Sequence, residues 1–182
     1  MQRAGIGIIL WLLSFGAFPQ DMVWEQLRTG GYILLMRHAQ TDAGVGDPPG
    51  FTLGDCRTQR NLSSEGRVQA RRTGEMFRNR GIAVGEVRTS AWCRCVDTAT
   101  LAFDNAVVWP VLNSFFDNPE RRERQTGELK DYIRGYRSRA NLVLVTHQVN
   151  ITALTGETVA AGEIVVLKPG EPGAVVGKLK VP

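Results

Sequence analysis

Several features are scarce in this sequence, and each scarcity argues against a class of protein. Among 182 residues there are only two histidines and three cysteines, and the formal net charge is only +4. The most apolar run, residues 6–15, is shorter than the roughly 20 residues that a membrane-spanning helix needs. A hydrophobic fraction of 43% and a charged fraction of 22% are far from the composition of disordered chains. We therefore expect one folded globular domain.

The N-terminal segment has the pattern of a secretory signal peptide. Arg3 provides a positive start, residues 6–15 are apolar, and Ser14-Phe15-Gly16 offers a small-x-small cleavage pattern. We predict a signal peptide over residues 1–20, with cleavage near residues 16–20, and a single domain over residues 21–182. An uncleaved anchor is the alternative. The expected location is periplasmic or secreted, with no stable membrane insertion after signal removal.

Basic residues do not form a continuous stripe. In residues 119–125 (PERRERQ) they are interspersed with acidic residues, a pattern typical of the solvated start of a helix. A nucleic-acid-binding surface needs basic residues clustered on one face. We therefore expect no nucleic-acid partner.

The odd number of cysteines indicates one disulfide and one remaining thiol in an oxidising compartment. Cys93 and Cys95 are poorly placed to bridge each other on a helix, so the bond is expected between Cys56 and one of these two. The sequence leaves the choice open. A metal site is the competing interpretation, but Cys-x-Cys with one further cysteine lacks zinc-site spacing. We predict no metal and no cofactor.

Apolar strands alternate with helical patterns along the chain. Strands are predicted at residues 32–36, 84–89, 107–112 and 142–146, helices at 22–28, from 63 or 64 to 80, from 90 onward, around 129–136 and at 149–155, and a hairpin around 169–173. Such alternation indicates a three-layer α/β/α sandwich with a mostly parallel central sheet. Residues 41–60, rich in glycine and proline, are predicted to form a long loop that walls or covers a site.

Both histidines follow strands. His38 comes after the first strand, next to Arg37, and His147 comes after the most apolar strand, while the helix after the strand at 84–89 contributes Arg94. The carboxyl ends of parallel strands are where such sheets bind ligands. Two arginines and two imidazoles there would form a positive pocket suited to a phosphate dianion. Binding alone needs no second histidine, whereas phosphoryl transfer can use one imidazole as nucleophile and the other to stabilise charge.

Four segments resemble the motifs of the histidine phosphatase superfamily, which includes the phosphoglycerate mutases. They are Arg37-His38-Ala39, Asn61-Leu62-Ser63 with Gly66, Gln69 and Ala70, the set Ser90, Arg94, Thr98 and Ala99, and Val145-Thr146-His147. The resemblance covers about residues 32–168 and implies a phosphoglycerate mutase-like fold. It implies that His38 is the phosphorylated nucleophile and that Arg37, Arg94 and His147 bind the phosphate.

The resemblance also suggests further site residues and shows departures from the family pattern. Thr41 and Arg60 in the loop, and Gln148 and Asn150 after the second histidine, are expected to bind substrate. Ala39 stands for the signature glycine, and Gln148 replaces the aspartate of the His-Asp-x-Asn motif of the acid phosphatases. Three carboxylates are therefore candidates for the general acid: Asp42, Asp117 and Glu120.

The first hypothesis is an exported phosphomonoesterase acting on a phosphorylated small molecule or glycan through a phosphohistidine on His38. Among exported members, the chain most resembles the small proteins related to lipopolysaccharide core heptose phosphate phosphatase, so an envelope sugar phosphate is the expected substrate. The second hypothesis is a catalytically weak or inactive phosphate-binding module of the same fold. The third is a cysteine-based redox or metal protein, suggested by Trp92-Cys93-Arg94-Cys95.

Overall fold

Helices and strands alternate along residues 20–181, which are the residues that the structure, a computed structural model, describes. The predicted signal peptide, apart from Gln20, lies outside them. The helices are α1 (Gln20–Thr29), α2 (Ser64–Asn79), α3 (Cys93–Phe103), α4 (Arg122–Gly135) and α5 (Gln148–Thr155). The strands are β1 (Ile33–Arg37), β2 (Val84–Thr89), β3 (Val107–Val108), β4 (Asn141–Thr146), β5 (Ile164–Leu167) and β6 (Val175–Leu179).

The strands form one sheet in the order β3-β2-β4-β1-β5-β6. The pairings β3–β2, β2–β4 and β4–β1 are parallel, whereas β1–β5 and β5–β6 are antiparallel. The mostly parallel sheet predicted from the sequence is therefore confirmed. Residues 33–36 of β1 and 142–145 of β4 are fully buried because both faces of the central sheet are covered.

Successive residues of the central strands point into two different layers, as the two-residue period of a strand requires. Leu34 and Met36 pack in one core with residues of α1, α2 and α3. Ile33 and Leu35 pack in a second core with Leu129, Ile133 and Ile151, among others, from α4 and α5. The fold is the predicted three-layer α/β/α sandwich.

Two local predictions were wrong. The helix expected from Ser90 begins at Cys93, after Trp92. The strand expected at 107–112 has two residues, because Pro110 starts a 3₁₀ turn. This short strand lies at the edge of the sheet, where proline is tolerated.

A span across a membrane would need a long apolar helix, and none of the helices within residues 20–181 meets that requirement.

Candidate active site

The two histidines meet at one edge of the sheet. His38 directly follows β1 and His147 directly follows β4, and the last residues of these parallel strands, Arg37 and Thr146, are paired. The two imidazole rings lie 5.5 Å apart between centroids, and both side chains are buried. Strand order alone thus brings together two residues that are more than a hundred positions apart.

The tautomer of His38 follows from its one hydrogen bond. Nδ1 lies 2.9 Å from the Ala39 carbonyl oxygen, which can only accept, so Nδ1 carries the proton and Nε2 keeps its lone pair. Burial lowers the pKa of His38 to about 3, and the positive charges of Arg94 and Arg37 act in the same direction. The imidazole is therefore neutral at physiological pH and has a nucleophilic nitrogen.

His147 is fixed by the segment between β2 and α3. Its Nε2 lies 2.8 Å from Ser90 Oγ and 3.5 Å from the Cys95 sulfur. The Trp92 ring packs edge-on against it at 5.2 Å between centroids. Burial holds the pKa of His147 well below its usual value, and the positive charge of Arg94 acts in the same direction. Ser90, which directly follows β2, thus orients the second histidine.

The two site arginines each keep an unused donor. Arg37 Nη1 donates to the Val159 carbonyl at 2.8 Å, and Arg94 donates to Asp47 and to the Arg60 carbonyl. The Nε atoms of Arg37 and Arg94 are buried, and neither has a hydrogen-bond partner. Buried donors are almost always paired in native proteins, so two unpaired guanidinium N–H groups beside two imidazoles are suited to an anionic ligand.

Asp47 is a site residue that the sequence analysis missed. Its carboxylate is 3% exposed and receives two hydrogen bonds from Arg94, at 2.7 and 3.1 Å. Trp92 Nε1 and the Arg60 backbone N–H also donate to it, at 2.9 and 3.0 Å. Burial alone would raise the pKa of Asp47, but the hydrogen bonds from Arg94 and Arg60 outweigh burial, so the pKa lies below its usual value. The Asp47-Pro48-Pro49-Gly50 stretch signals a turn, and nothing in it signals a partner in α3.

A disulfide joins the loop of residues 41–60 to the start of α3. It links Cys56 to Cys93, whose Cα atoms are 5.7 Å apart, and Cys93 immediately precedes Arg94. The single predicted disulfide is thus present, and the structure identifies its pair. Cys95 is a buried free thiol whose pKa burial raises to about 12, which does not suit a reactive cysteine.

The site opens into a cavity of about 300 Å³. Of the residues predicted from the sequence, its lining includes Arg37, His38, Arg60, Arg94, Asp117, His147 and Gln148. Metal ligands are not grouped in this part of the chain: within residues 20–181, no three histidine, cysteine, aspartate or glutamate side chains are arranged to hold a metal ion.

The other predicted residues lie outside that lining. Thr41 contacts Arg60, whose Nη1 is 2.7 Å from its hydroxyl. Asn150 is buried and donates to the Asn113 carbonyl at 3.0 Å. Asp42 lines a neighbouring depression formed by the loop, and Glu120 is exposed in the 3₁₀ turn Pro119–Arg121. Of the three candidate acids, the structure therefore brings only Asp117 to the cavity.

The fold is shared with phosphatases and mutases of known structure. The structure is similar to the protein histidine phosphatase SixA complexed with tungstate, with 17% identity and a TM-score of 0.57 over 82% of this chain and 96% of that one. It is similar to a phosphoglycerate mutase from Thermus thermophilus, with 18% identity and a TM-score of 0.57 over 83% of this chain and 99% of that one. Identities this low show the fold alone, which is phosphoglycerate mutase-like.

The family is indicated by the sequence of the site itself. Residues 33–114, which include His38 and Arg94, match the histidine phosphatase superfamily (branch 1). No curated protein matches the chain. The family match covers part of the chain and agrees with the resemblance to the histidine phosphatase superfamily for the three motifs that lie within residues 33–114.

Proposed function

We propose that the protein is an exported phosphomonoesterase that hydrolyses its substrate through a phosphohistidine on His38. The observation that carries the proposal is the neutral, lone-pair-bearing Nε2 of His38 beside two buried, unpaired guanidinium N–H groups. A tetrahedral dianion supplies acceptors for such donors. The protein histidine phosphatase SixA, which has a similar fold, is known in complex with tungstate, an oxyanion, and this supports an oxyanion as the ligand of this chain.

The reaction has two steps. In the first, the phosphate oxygens accept hydrogen bonds from Arg37 and Arg94 while Nε2 of His38 attacks phosphorus, and the bond from phosphorus to the ester oxygen breaks. In the second, water gives one proton to the Asp117 carboxylate and attacks the phosphorus of the phosphohistidine, the phosphorus–nitrogen bond breaks, and inorganic phosphate leaves. His147 and the arginines stabilise the charge on the phosphoryl oxygens in both steps.

The departing alkoxide needs a proton, and we assign this role to Asp117. It is the candidate acid that lines the cavity, and it lies at the exposed rim where an alcohol can leave. Asp47 also lines the cavity, but Arg94 keeps its pKa low, so its carboxylate is ionised and has no proton to give.

Export and the substrate class rest mainly on the sequence. The signal-like N-terminus and the Cys56–Cys93 disulfide support an oxidising, extracytoplasmic location. The resemblance to the exported branch makes an envelope sugar phosphate one substrate class to test. Arg60, the loop cation expected to bind substrate, is already engaged, since it donates to the carbonyls of Gly44 and Gly46. The other arginine of this loop, Arg57, pairs with Asp55.

A second candidate function is phosphate binding without turnover. It is favoured by the contact between Asp47 and Arg94, because a carboxylate already occupies part of the guanidinium that phosphate needs. Both functions predict binding of an oxyanion, so only turnover or a phosphorylated histidine distinguishes them.

The test compares the wild-type protein with His38→Ala, both without residues 1–20. We expect the wild type to hydrolyse aryl phosphates and to acquire one acid-labile phosphoryl group by intact-mass analysis, and the variant to do neither. Thermal stabilisation by tungstate, measured on both proteins, serves as the control for a folded pocket. Hydrolysis by contaminant-free His38→Ala at the wild-type rate would disprove the mechanism. Tungstate binding with neither turnover nor phosphorylation in the wild type would favour the binding module.

A further inference from the structure

A second cavity, of about 330 Å³, adjoins the catalytic cavity. We call it the apolar groove and define it by Phe116 and Pro119, which lie between β3 and α4, and by Gln148, Val149, Thr152 and Ala153 of α5. Phe116, Gln148 and Val149 line both cavities. A substrate whose phosphate contacts His38 can therefore extend its remaining part along the groove.

The local sequence explains why the groove is apolar. Helix α5 starts directly after His147, and Val149 and Ala153, which are four residues apart, lie on the same side of this helix. Phe116 is 58% exposed although its ring is large and apolar. Its ring and these two side chains provide apolar contact surface beside the cavity that contains the reacting imidazole.

The polar side chains of the groove are already hydrogen-bonded. Gln148 donates its two amide hydrogens to Thr152 Oγ1 and to the Glu157 carbonyl, at 2.7 and 3.0 Å, and accepts from the Val159 N–H at 3.0 Å. Thr152 donates its hydroxyl hydrogen to the same Glu157 carbonyl at 2.9 Å. Neither residue has a hydrogen left to donate to a sugar hydroxyl, and Arg122 is the one charged side chain of the lining.

We propose that the apolar groove binds a hydrocarbon portion of the substrate, so that the preferred substrates are phosphomonoesters whose alcohol carries an alkyl or aryl group. This inference rests on the proposed function and refines it, because it favours an apolar leaving group over a hydroxyl-rich sugar. A sugar in this groove would lose hydration, and among the side chains of the lining only Arg122 could donate hydrogen bonds to its hydroxyls. A hydrocarbon gains the burial of its surface.

The first experiment compares ethyl, butyl and hexyl phosphate with glucose 6-phosphate. The three alkyl esters release alcohols of nearly equal basicity, so differences among them report binding rather than intrinsic reactivity. We expect kcat/KM to rise about threefold to fourfold for each methylene buried, and hexyl phosphate to be a better substrate than glucose 6-phosphate. Turnover with a flat alkyl series, or with a preference for the sugar phosphate, would overturn the groove assignment and leave the phosphatase proposal standing.

The second experiment uses variants and a probe that cannot be hydrolysed. Phe116→Ala should reduce the ratio of hexyl to ethyl phosphate turnover, whereas Val68→Ala, which truncates an exposed valine on α2, should preserve it. Calorimetry with methyl-, butyl- and hexylphosphonate measures how tightly the groove binds each chain length, because phosphonates are not hydrolysed. Affinity that rises with chain length in a protein without turnover would support the groove and reject the phosphatase. Equal affinities for the three phosphonates would reject the groove.

Discussion

The imidazoles of His38 and His147 are buried close to arginine side chains, and burial keeps both imidazoles neutral. For a nucleophile this is an advantage, because a protonated imidazole has no lone pair to attack phosphorus. It also makes folding depend on pH, since the same imidazoles are free to take up protons once the chain unfolds.

We expect stability to fall as the pH is lowered from about 7 to about 5. The folded-state pKa of His38 is about 3 and the unfolded-state value is 6.5. Below pH 6.5 the unfolded chain therefore binds protons that the folded chain does not, and the loss continues as the pH falls toward the folded-state value. Thermal unfolding across this range measures the effect. His38→Asn should show a shallower dependence, and an identical slope would contradict this origin.

At Asp47 we expect Asp47→Asn to lower stability by about 3 kcal/mol, because it leaves the buried Arg94 cation without its paired charge. Tungstate should stabilise this variant more than the wild type, since the oxyanion supplies the missing negative charge. Asp55→Asn is the matched control, because Asp55 lies in the same loop and its partner Arg57 is exposed. Chemical denaturation with and without tungstate tests both. An equal loss in the two variants would exclude a special role for the Asp47 contact.

At Asp117 we expect Asp117→Asn to lower the hydrolysis of ethyl phosphate by at least about a hundredfold. Hydrolysis of p-nitrophenyl phosphate should fall much less, since a phenolate leaves without full protonation. Glu120→Gln is the control carboxylate outside the cavity lining. Equal losses for the two esters would show that Asp117 does not act as the acid.

At the scale of elements, the close approach of α2 to the segment after β1 depends on one glycine. A Cβ placed on Gly66 would lie 1.8 Å from the Gln40 carbonyl oxygen, so this helix turn contacts the chain two residues after His38 directly. The Ser63 hydroxyl caps the same turn by accepting from the Gly66 N–H at 3.1 Å. Helix α2 thus supports the segment that follows His38.

We expect Gly66→Ala to destabilise the protein by about 2–3 kcal/mol, because backbone must move to admit the methyl group. Gly127→Ala is the control. Gly127 lies within α4 and its added Cβ would meet nothing within 4 Å, so alanine there should stabilise by about 0.5–1 kcal/mol. Denaturant titrations of the two variants should give changes of opposite sign. A stable, fully active Gly66→Ala would contradict the role of this contact.

The elements that were predicted well are those with a strong local signal. Strand β4 lies within one residue of its predicted bounds because it is a continuous apolar run, and α5 ends at its predicted residue because Gly156 stops it. The start of α3 was misplaced because Ser90 is engaged with His147, a tertiary contact that outweighs its capping preference. The sequence placed both histidines at one sheet edge. It could not show the Asp47–Arg94 pair, which depends on how the loop of residues 41–60 folds against α3. It also could not show the apolar groove, which depends on how the connection between β3 and α4 lies against α5.

At the scale of the whole molecule, the Cys56–Cys93 disulfide closes a loop across 37 positions. In the chain-entropy description, such a crosslink contributes roughly 4 kcal/mol by restricting the unfolded chain. We expect the double variant Cys56→Ser, Cys93→Ser to be less stable by an amount of this order, because its unfolded chain is no longer restricted by the crosslink. Reductant should lower the stability of the wild type by a similar amount and leave the stability of the double variant unchanged. A wild type insensitive to reductant would contradict this account.

The central position of β1 determines how the molecule exchanges its amide hydrogens. Strand β1 is hydrogen-bonded on both sides, to β4 and β5, so its amides open only when the sheet itself opens. Many backbone hydrogen bonds of residues 41–60 join residues that are close in sequence, such as those from Asp55 to Thr52 and from Phe51 to Pro48. These bonds can open without disturbing the sheet. We therefore expect the amide hydrogens of the loop to exchange through local opening, and those of the strand that ends beside His38 to exchange only when the sheet opens. Movement of the loop beside the cavity and the integrity of the sheet would thus be separate events in one small protein.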